Sequence, residues 1–430
     1  MTRFSGMVGG LFLAALVASP GGCQVQESPF QTMKGPATVR GAVKPILPNG
    51  TRPPQSGAVA GPSEAGYGQS YGGPAQSSRG AMRLPPGRWT PAWTRGLARA
   101  RPAAEVLAAG DRIVVVAAGA WELLKPNGDP VADGRMGPAA LTIDPARGVF
   151  YADDGDGFLA AFTLGAGQRR WKLMTLFDGM IRFAINRVGD EITIISVLDE
   201  KPPHAADALK RTTVERYRVP ANVAVNELGS LAVKRVGELI RNESDVTVAA
   251  VPGRTVLATR GWIGVADEHL ALVAGFRDEF RPAAMSLDER GNAYLVVETA
   301  EGARLWGLNP DGGRFLDVAL SADLLTLVAP PILGYDQMVY LAEANHVVAI
   351  DPHGQVAWDH KLEGIRGATI TADDNLLITA GGKIYAVRGV EPPREIAELP
   401  EPGLTAPILA PNGLLLVGAA RSVYAFRAVP

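Results

Sequence analysis

Three carboxylates crowded into one short stretch, Asp153, Asp154 and Asp156, are the side chains of this chain whose types and spacing most resemble a working site. Clustered carboxylates suit a hard cation such as calcium, but no bidentate Glu follows at the twelfth position to close the ligand set. The run passes instead into the apolar stretch 158–162, so a solvated turn is expected. The histidines, His204, His269, His346, His353 and His360, are the groups able to change charge near neutral pH. His346, His353 and His360 fall on one strand, the turn after it and the next strand, and are expected to point in different directions. Gly68-Gln69-Ser70-Tyr71-Gly72 has the spacing of a nucleophile elbow, whose serine is reactive only on a tight strand-to-helix turn, and nothing around it reads as strand or helix. Cys23 is the one cysteine, which excludes an internal disulfide and a thiolate metal cluster. No catalytic group, metal or cofactor is assigned from these residues.

The elements that must position any site are short strands. With 50 Gly and 33 Pro in 430 residues, the chain is poor material for helices, whose interiors both residues destabilise. A hydrophobic fraction of 47% is enough for a core, so the expected class is all-β. The 42 basic and 44 acidic side chains leave a net charge of -2, and no global field steers the chain toward nucleic acid.

The first 22 residues read as an export signal: Arg3, then an apolar run from Met7 to Ala18 too short to cross a bilayer core of about 30 Å as a helix. Cys23 follows Gly21 and Gly22, which resembles the lipobox of bacterial lipoproteins, with Pro20 where that family usually carries Leu. The resemblance implies lipidation at Cys23, and Gln24 in place of Asp implies sorting to the outer membrane. The alternative is a soluble secreted protein cut near Ala18 or Gly21. Residues 23–87 are rich in Gly, Pro, Ser and Gln without apolar periodicity, and are expected to form a disordered tether. A Gly-rich coil reaches about 5–6 Å times the square root of its length, so such a linker spans some tens of Å.

From Arg88 to Pro430 one unit recurs at roughly 40-residue spacing, the signature of a repeat architecture. Its clearest copy has strands at 140–143, 149–152 and 158–162, and a fourth holding Trp171. Further copies run from Pro331 to Trp358, from Asn375 and from Gly413, with weaker ones near Ala104, Arg182, Asp245 and Pro282. The count is eight, with seven as the alternative. One such sheet leaves both faces wet, so stability requires stacking each on its neighbours. The last copy has about three strands, and Arg88-Trp89-Thr90-Pro91-Ala92-Trp93 is expected to supply its fourth and latch a ring. The expected fold is an eight-bladed β-propeller of four-stranded antiparallel blades.

Tyr151-Ala152-Asp153-Asp154-Gly155-Asp156-Gly157-Phe158-Leu159-Ala160-Ala161-Phe162, with Gly167 and Trp171, resembles the PQQ-like β-propeller repeat. The resemblance implies blade-packing roles for Trp171, Trp306, Trp358, Tyr340, Tyr385 and Tyr424. Quinoprotein dehydrogenases sharing the repeat hold their cofactor with calcium and a pair of adjacent cysteines, and this chain has no such pair.

The segment 198–211, LDEKPPHAADALKR, interrupts the third copy with charged and Pro-rich sequence. Loops on a rigid scaffold carry specificity, so Glu200, Lys201, His204, Asp207, Lys210 and Arg211 form a candidate partner loop, against the alternative of a tolerated surface excursion. Two functions follow as expectations. One is a non-enzymatic, lipid-anchored envelope scaffold or assembly factor that binds envelope proteins, alone or within a hetero-complex, similar in class to the propeller lipoprotein of the outer-membrane barrel-assembly machinery. The other is an enzyme or small-ligand sensor using the central channel.

Overall fold

Short apolar runs separated by Gly, Asp and Asn turns become strands that pair only with their sequence neighbours. The computed structural model describes residues 80 and 82–429, apart from 98–102, 118, 137–140, 145–146, 155–157, 175–180, 189–190, 201–210, 220–233, 242–246, 252 and 289. After β1 (Arg88–Gly96), blade 1 holds β2 (Ala103–Ala109), β3 (Arg112–Ala117), β4 (Ala120–Leu124) and β5 (Pro130–Arg135). Blade 2 holds β6 (Thr142–Asp144), β7 (Val149–Asp153), β8 (Phe158–Thr163) and β9 (Arg169–Met174). Blade 3 holds β10 (Ile181–Val188), β11 (Glu191–Glu200), β12 (Arg211–Val219) and β13 (Lys234–Arg241). Blade 4 holds β14 (Thr247–Val251), β15 (Arg254–Thr259), β16 (Trp262–Ala266) and β17 (Leu272–Arg277). Blade 5 holds β18 (Phe280–Leu287), β19 (Ala293–Thr299), β20 (Gly302–Leu308) and β21 (Arg314–Ala319). Beyond a single 3-10 turn, blade 6 holds β22 (Ile332–Leu333), β23 (Val339–Ala342), β24 (His346–Ile350) and β25 (Val356–Lys361). Blade 7 holds β26 (Ile365–Ile370), β27 (Leu376–Ala380), β28 (Lys383–Val387) and β29 (Arg394–Glu398), and blade 8 holds β30 (Ile408–Leu409), β31 (Leu414–Gly418) and β32 (Ser422–Val429).

Among the described residues there are eight four-stranded sheets, each antiparallel, and the eighth has the order β1-β32-β31-β30. The chain's first strand is therefore the outer strand of the last blade, in register from Arg88 opposite Val429 to Gly96 opposite Ser422. Pro91, which cannot donate to a ladder, is tolerated there because the strand is an edge, and the register shifts between Pro91 and Trp93. Trp93 donates from Nε1 to the Pro126 carbonyl of blade 1 at 2.7 Å, and its ring lies where a Cβ on Gly128 would be. Blade 8 is thus joined to blade 1 at the rim, while β2 touches β31 nearer the axis.

The first strand of each blade lies innermost: β2 contacts β6, β6 contacts β10, β10 contacts β14, β14 contacts β18, and β22 contacts β26. Apolar clusters fill the seams. Tyr294, Val296 and Leu305 of blade 5 meet Leu333, Leu341 and Ile350 of blade 6, and Leu377 and Ile384 of blade 7 meet Leu409, Leu415 and Val417 of blade 8. Burial falls toward the outside: β15 and β16 are buried almost throughout, whereas β5 and β17 alternate between exposed and half-buried.

Two blades share a packing device. In blade 2, Tyr151 stands opposite Ala161 and Ala161 opposite Trp171; in blade 6, Tyr340, Ala349 and Trp358 repeat the row. The small middle residue lets the outer rings meet over it, with centroids 5.7 and 5.6 Å apart. Aromatic pairs at such separations contribute about 0.5–1.5 kcal/mol beyond their buried area.

All blades are laid down in one sense, so each face carries its own turns. The turns between first and second strands, and between third and fourth, share one face, here termed the hairpin face. There Asp374 of blade 7 accepts the backbone N–H groups of Tyr335 and Asp336 of blade 6, at 2.7 and 3.1 Å. The crossover face carries the turns between second and third strands and the passages from blade to blade. Residues 80 and 82–87, which composition assigns to the tether, lie along the hairpin face: Gly80 N–H donates to the Ile370 carbonyl at 2.6 Å and Ala372 N–H to the Met82 carbonyl at 2.9 Å. Met82 and Leu84 pack against the seam between blades 7 and 8.

Candidate functional site

A recess of about 1170 Å³ on the crossover face between blades 4 and 5 gathers several exposed charged side chains. It arises where the β15–β16 turn, the passage into β18 and the end of β19 come together, placing Arg260, Arg281, Glu279 and Glu298 around Phe280 and Pro282. Phe280 is buried against Trp306, centroids 5.1 Å apart, which fixes the floor. One wall is braced by an ion network. Asp317 accepts from Arg304 Nε at 2.6 Å, Arg314 Nη1 at 3.0 Å and Trp306 Nε1 at 3.1 Å. Arg314 also reaches Asp278 at 3.3 Å and lies 3.9 Å above the Trp306 ring.

The side chains of Arg260 and Arg281 are exposed and make no hydrogen bond or ion pair with a described residue, and those of Glu279 and Glu298 are likewise unpaired among the described residues, although Arg281 stands opposite Glu298 in the ladder. Arg281 stands near the start of β18, where the ladder to β19 shifts between Pro282 and Ala284. Arg366, at the corresponding end of the inner strand β26, is exposed beside a similar shift between Ile365 and Gly367. In blade 3, Arg182 is second in its inner strand, opposite Val197. Arginine therefore recurs at the crossover end of the inner strand in alternate blades, 3, 5 and 7.

The residues singled out from sequence are distributed differently. Trp171, Trp306, Trp358, Tyr340 and Tyr424 are buried, and Tyr385 is half-buried against the cluster between blades 6 and 7. Burial, with Asp336 beside it, drives the Tyr340 phenol far above its ordinary value, and burial does the same to Tyr151. Cys23 lies outside the described residues, as do Lys201, His204, Asp207 and Lys210. Glu200 and Arg211 are strand residues, paired with each other at the ends of β11 and β12. The interruption expected at 198–211 therefore narrows to 201–210, because Leu198 and Asp199 continue the ladder opposite Thr213 and Thr212. It joins second and third strands, so its ends lie on the crossover face.

Asp154 is within 3.5 Å of Arg169 and 3.7 Å of Lys172. His346 sits 3.0 Å from Glu343, His353 is exposed in the β24–β25 turn, and His360 stacks near Trp358 at 4.7 Å. Among the described residues, no group of three or more His, Cys, Asp or Glu side chains is arranged to hold a metal ion.

No family model and no curated protein matches this sequence. Solved structures do. The crystal structure of BamB from Moraxella catarrhalis is 14% identical, with the match covering 79% of this chain and 99% of that one at a TM-score of 0.55. The crystal structure of the computationally designed Ika8 protein is 15% identical, covering 78% of this chain and 99% of that one at a TM-score of 0.53. At such identities the likeness is one of fold, and the fold is a β-propeller.

Proposed function

We propose that this chain is an exported, lipid-anchored envelope protein of the PQQ-like propeller class, serving as a protein-binding scaffold or assembly factor at the outer membrane. The observation that carries the reading is a latched ring with a broad, charged recess on one face and its own lead-in segment seated on the other. The buried aromatic side chains serve the seams, while unpaired arginines and carboxylates remain at the recess, the arrangement of a surface made for a macromolecule. The fold-level likeness to BamB supports the same reading. The Tyr–Ala–Trp rows in blades 2 and 6 support the repeat class. A tether over residues 23–87, lipidated at Cys23, would lead into the ring by way of Gly80 and Met82, which are bonded to blade 7 on the hairpin face, opposite the recess.

The test is affinity capture of the intact protein from crosslinked envelopes, beside metabolic labelling with an alkynyl fatty acid. The expected result is a defined protein partner and a label lost on Cys23→Ser. Capture of no protein partner, together with turnover of a small molecule by the purified ring, would replace the scaffold with the channel-enzyme reading.

A further inference from the structure

We propose that the recess between blades 4 and 5 takes an extended peptide segment of a partner protein, whose acidic side chains pair with Arg260 and Arg281. This rests on the scaffold reading and names the partner's chemistry. At about 1170 Å³ the recess is larger than an ordinary small-molecule site, for which volumes of about 300–1,000 Å³ are usual. Its two exposed guanidinium groups have no described partner, although Glu279 and Glu298 line the same recess. Arginine's planar fork favours bidentate pairing with carboxylates.

Those carboxylates also select among anions. Asp278, Glu279 and Glu298 stand at the recess with the arginines, so a uniform polyanion such as polyphosphate meets repulsion there. A peptide can place carboxylates over the arginines and neutral or basic residues over the acids. The backbone adds a second element. β18 is an edge strand of its sheet, as is β26, and at β26 the chain's own extended segment already bonds the inner strand through Gly80 and Ile370. In β18, Pro282 lacks an N–H and the register shift breaks the ladder, so a continuous added strand is disfavoured and the grip passes to side chains. Arg366, exposed at the same end of blade 7, places one further guanidinium on the crossover face, within reach of a longer acidic segment.

The experiment uses the full chain in detergent with a fluorescein-labelled octapeptide of alternating Glu and Val, its Lys–Val counterpart, and inorganic polyphosphate as competitor. The acidic peptide is expected to bind saturably and the basic one not, with affinity falling by about tenfold or more in the Arg260→Glu/Arg281→Glu double variant. Arg394→Glu/Arg427→Glu, an equal charge change at exposed positions outside the recess, should leave the affinity within about twofold. Thermal unfolding of both variants checks that the ring is intact. Equal weakening by the control pair, or equal competition by polyphosphate, would overturn the proposal in favour of general anion attraction. If the recess variant loses the peptide yet captures the same envelope partner as the parent, the proposal fails while the scaffold reading stands. If the parent captures no partner, the scaffold reading itself fails.

Discussion

A single methyl group at Gly367 tests whether the ring is closed and tightly packed at the seam between blades 7 and 8. A Cβ built on this β26 residue would lie 2.4 Å from the Ala406 nitrogen, 2.6 Å from its Cα and 2.8 Å from the Thr405 carbonyl carbon. All are backbone atoms, so no rotamer change relieves the clash. Ordinary contact begins near 3.4 Å, so the two blades must part by about 1 Å along a seam filled by Leu377, Leu409 and Leu415. Overpacking of a dense core costs about 1–3 kcal/mol, more where backbone has to move. At about 2.1 cal/mol/K per residue, a domain of this size shifts its Tm by about 1.4 °C per kcal/mol, so Gly367→Ala should melt about 1–4 °C below the parent. Gly96→Ala is the matched control, because a Cβ there meets nothing within 4 Å and the backbone is not left-handed. It should be neutral or stabilising by up to about 1 kcal/mol, through the unfolded chain. Scanning calorimetry at one fixed scan rate compares the variants. A Gly367→Ala protein as stable as the parent would refute the packing of blades 7 and 8 described above.

Trp89→Ala, in the latch strand, should cost about 3–5 kcal/mol as a buried indole is removed and speed amide exchange in β32, its ladder partner; unchanged exchange would argue against latching. Asp317→Ala removes the acceptor shared by Arg304, Arg314 and Trp306, and should lower stability by about 1–3 kcal/mol, read from a urea midpoint. Tyr340 and Tyr151 give stability an alkaline limit. Their folded phenols resist ionisation, chiefly through burial, so stability is complete below the ordinary phenol value of 10.0 and declines as pH rises above it, where only the unfolded chain ionises. Tyr340→Phe should make the decline of Tm above pH 10.0 shallower, and an unchanged slope would assign it elsewhere.

Strand identity was legible wherever short apolar runs stand between turn residues, as at Leu414–Gly418 and Lys383–Val387. The latch was legible too, because the last copy shows only about three strand-like runs while Arg88–Gly96 stands ahead of the first copy outside any blade of its own, and β1 does pair with β32. The recess was not. Phe280, Arg281 and Pro282 read locally as a turn-rich entry to a weak copy, and their meaning depends on Glu298, opposite Arg281 on β19, and on Arg260, which the ring brings alongside from blade 4. The alternation of Arg182, Arg281 and Arg366 across blades was visible in principle, once the copies are aligned at their inner strands. Trp121 and Trp262 escaped notice for another reason: their fit depends on glycine, with a Cβ on Gly134 or Gly264 falling 2.5 and 2.2 Å from the respective ring. Opposed Trp and Gly on adjacent strands, as Trp121 and Gly134 are, would have been the signal for the first.

The face of the ring that meets a partner can be read directly. A photoreactive amino acid placed at Glu301 or Arg366 samples the crossover face, and one at His353 or Asn412 the hairpin face, all within the intact anchored protein in living cells. Discrete protein adducts from the first pair and none from the second are expected; adducts confined to His353 and Asn412 would contradict the account.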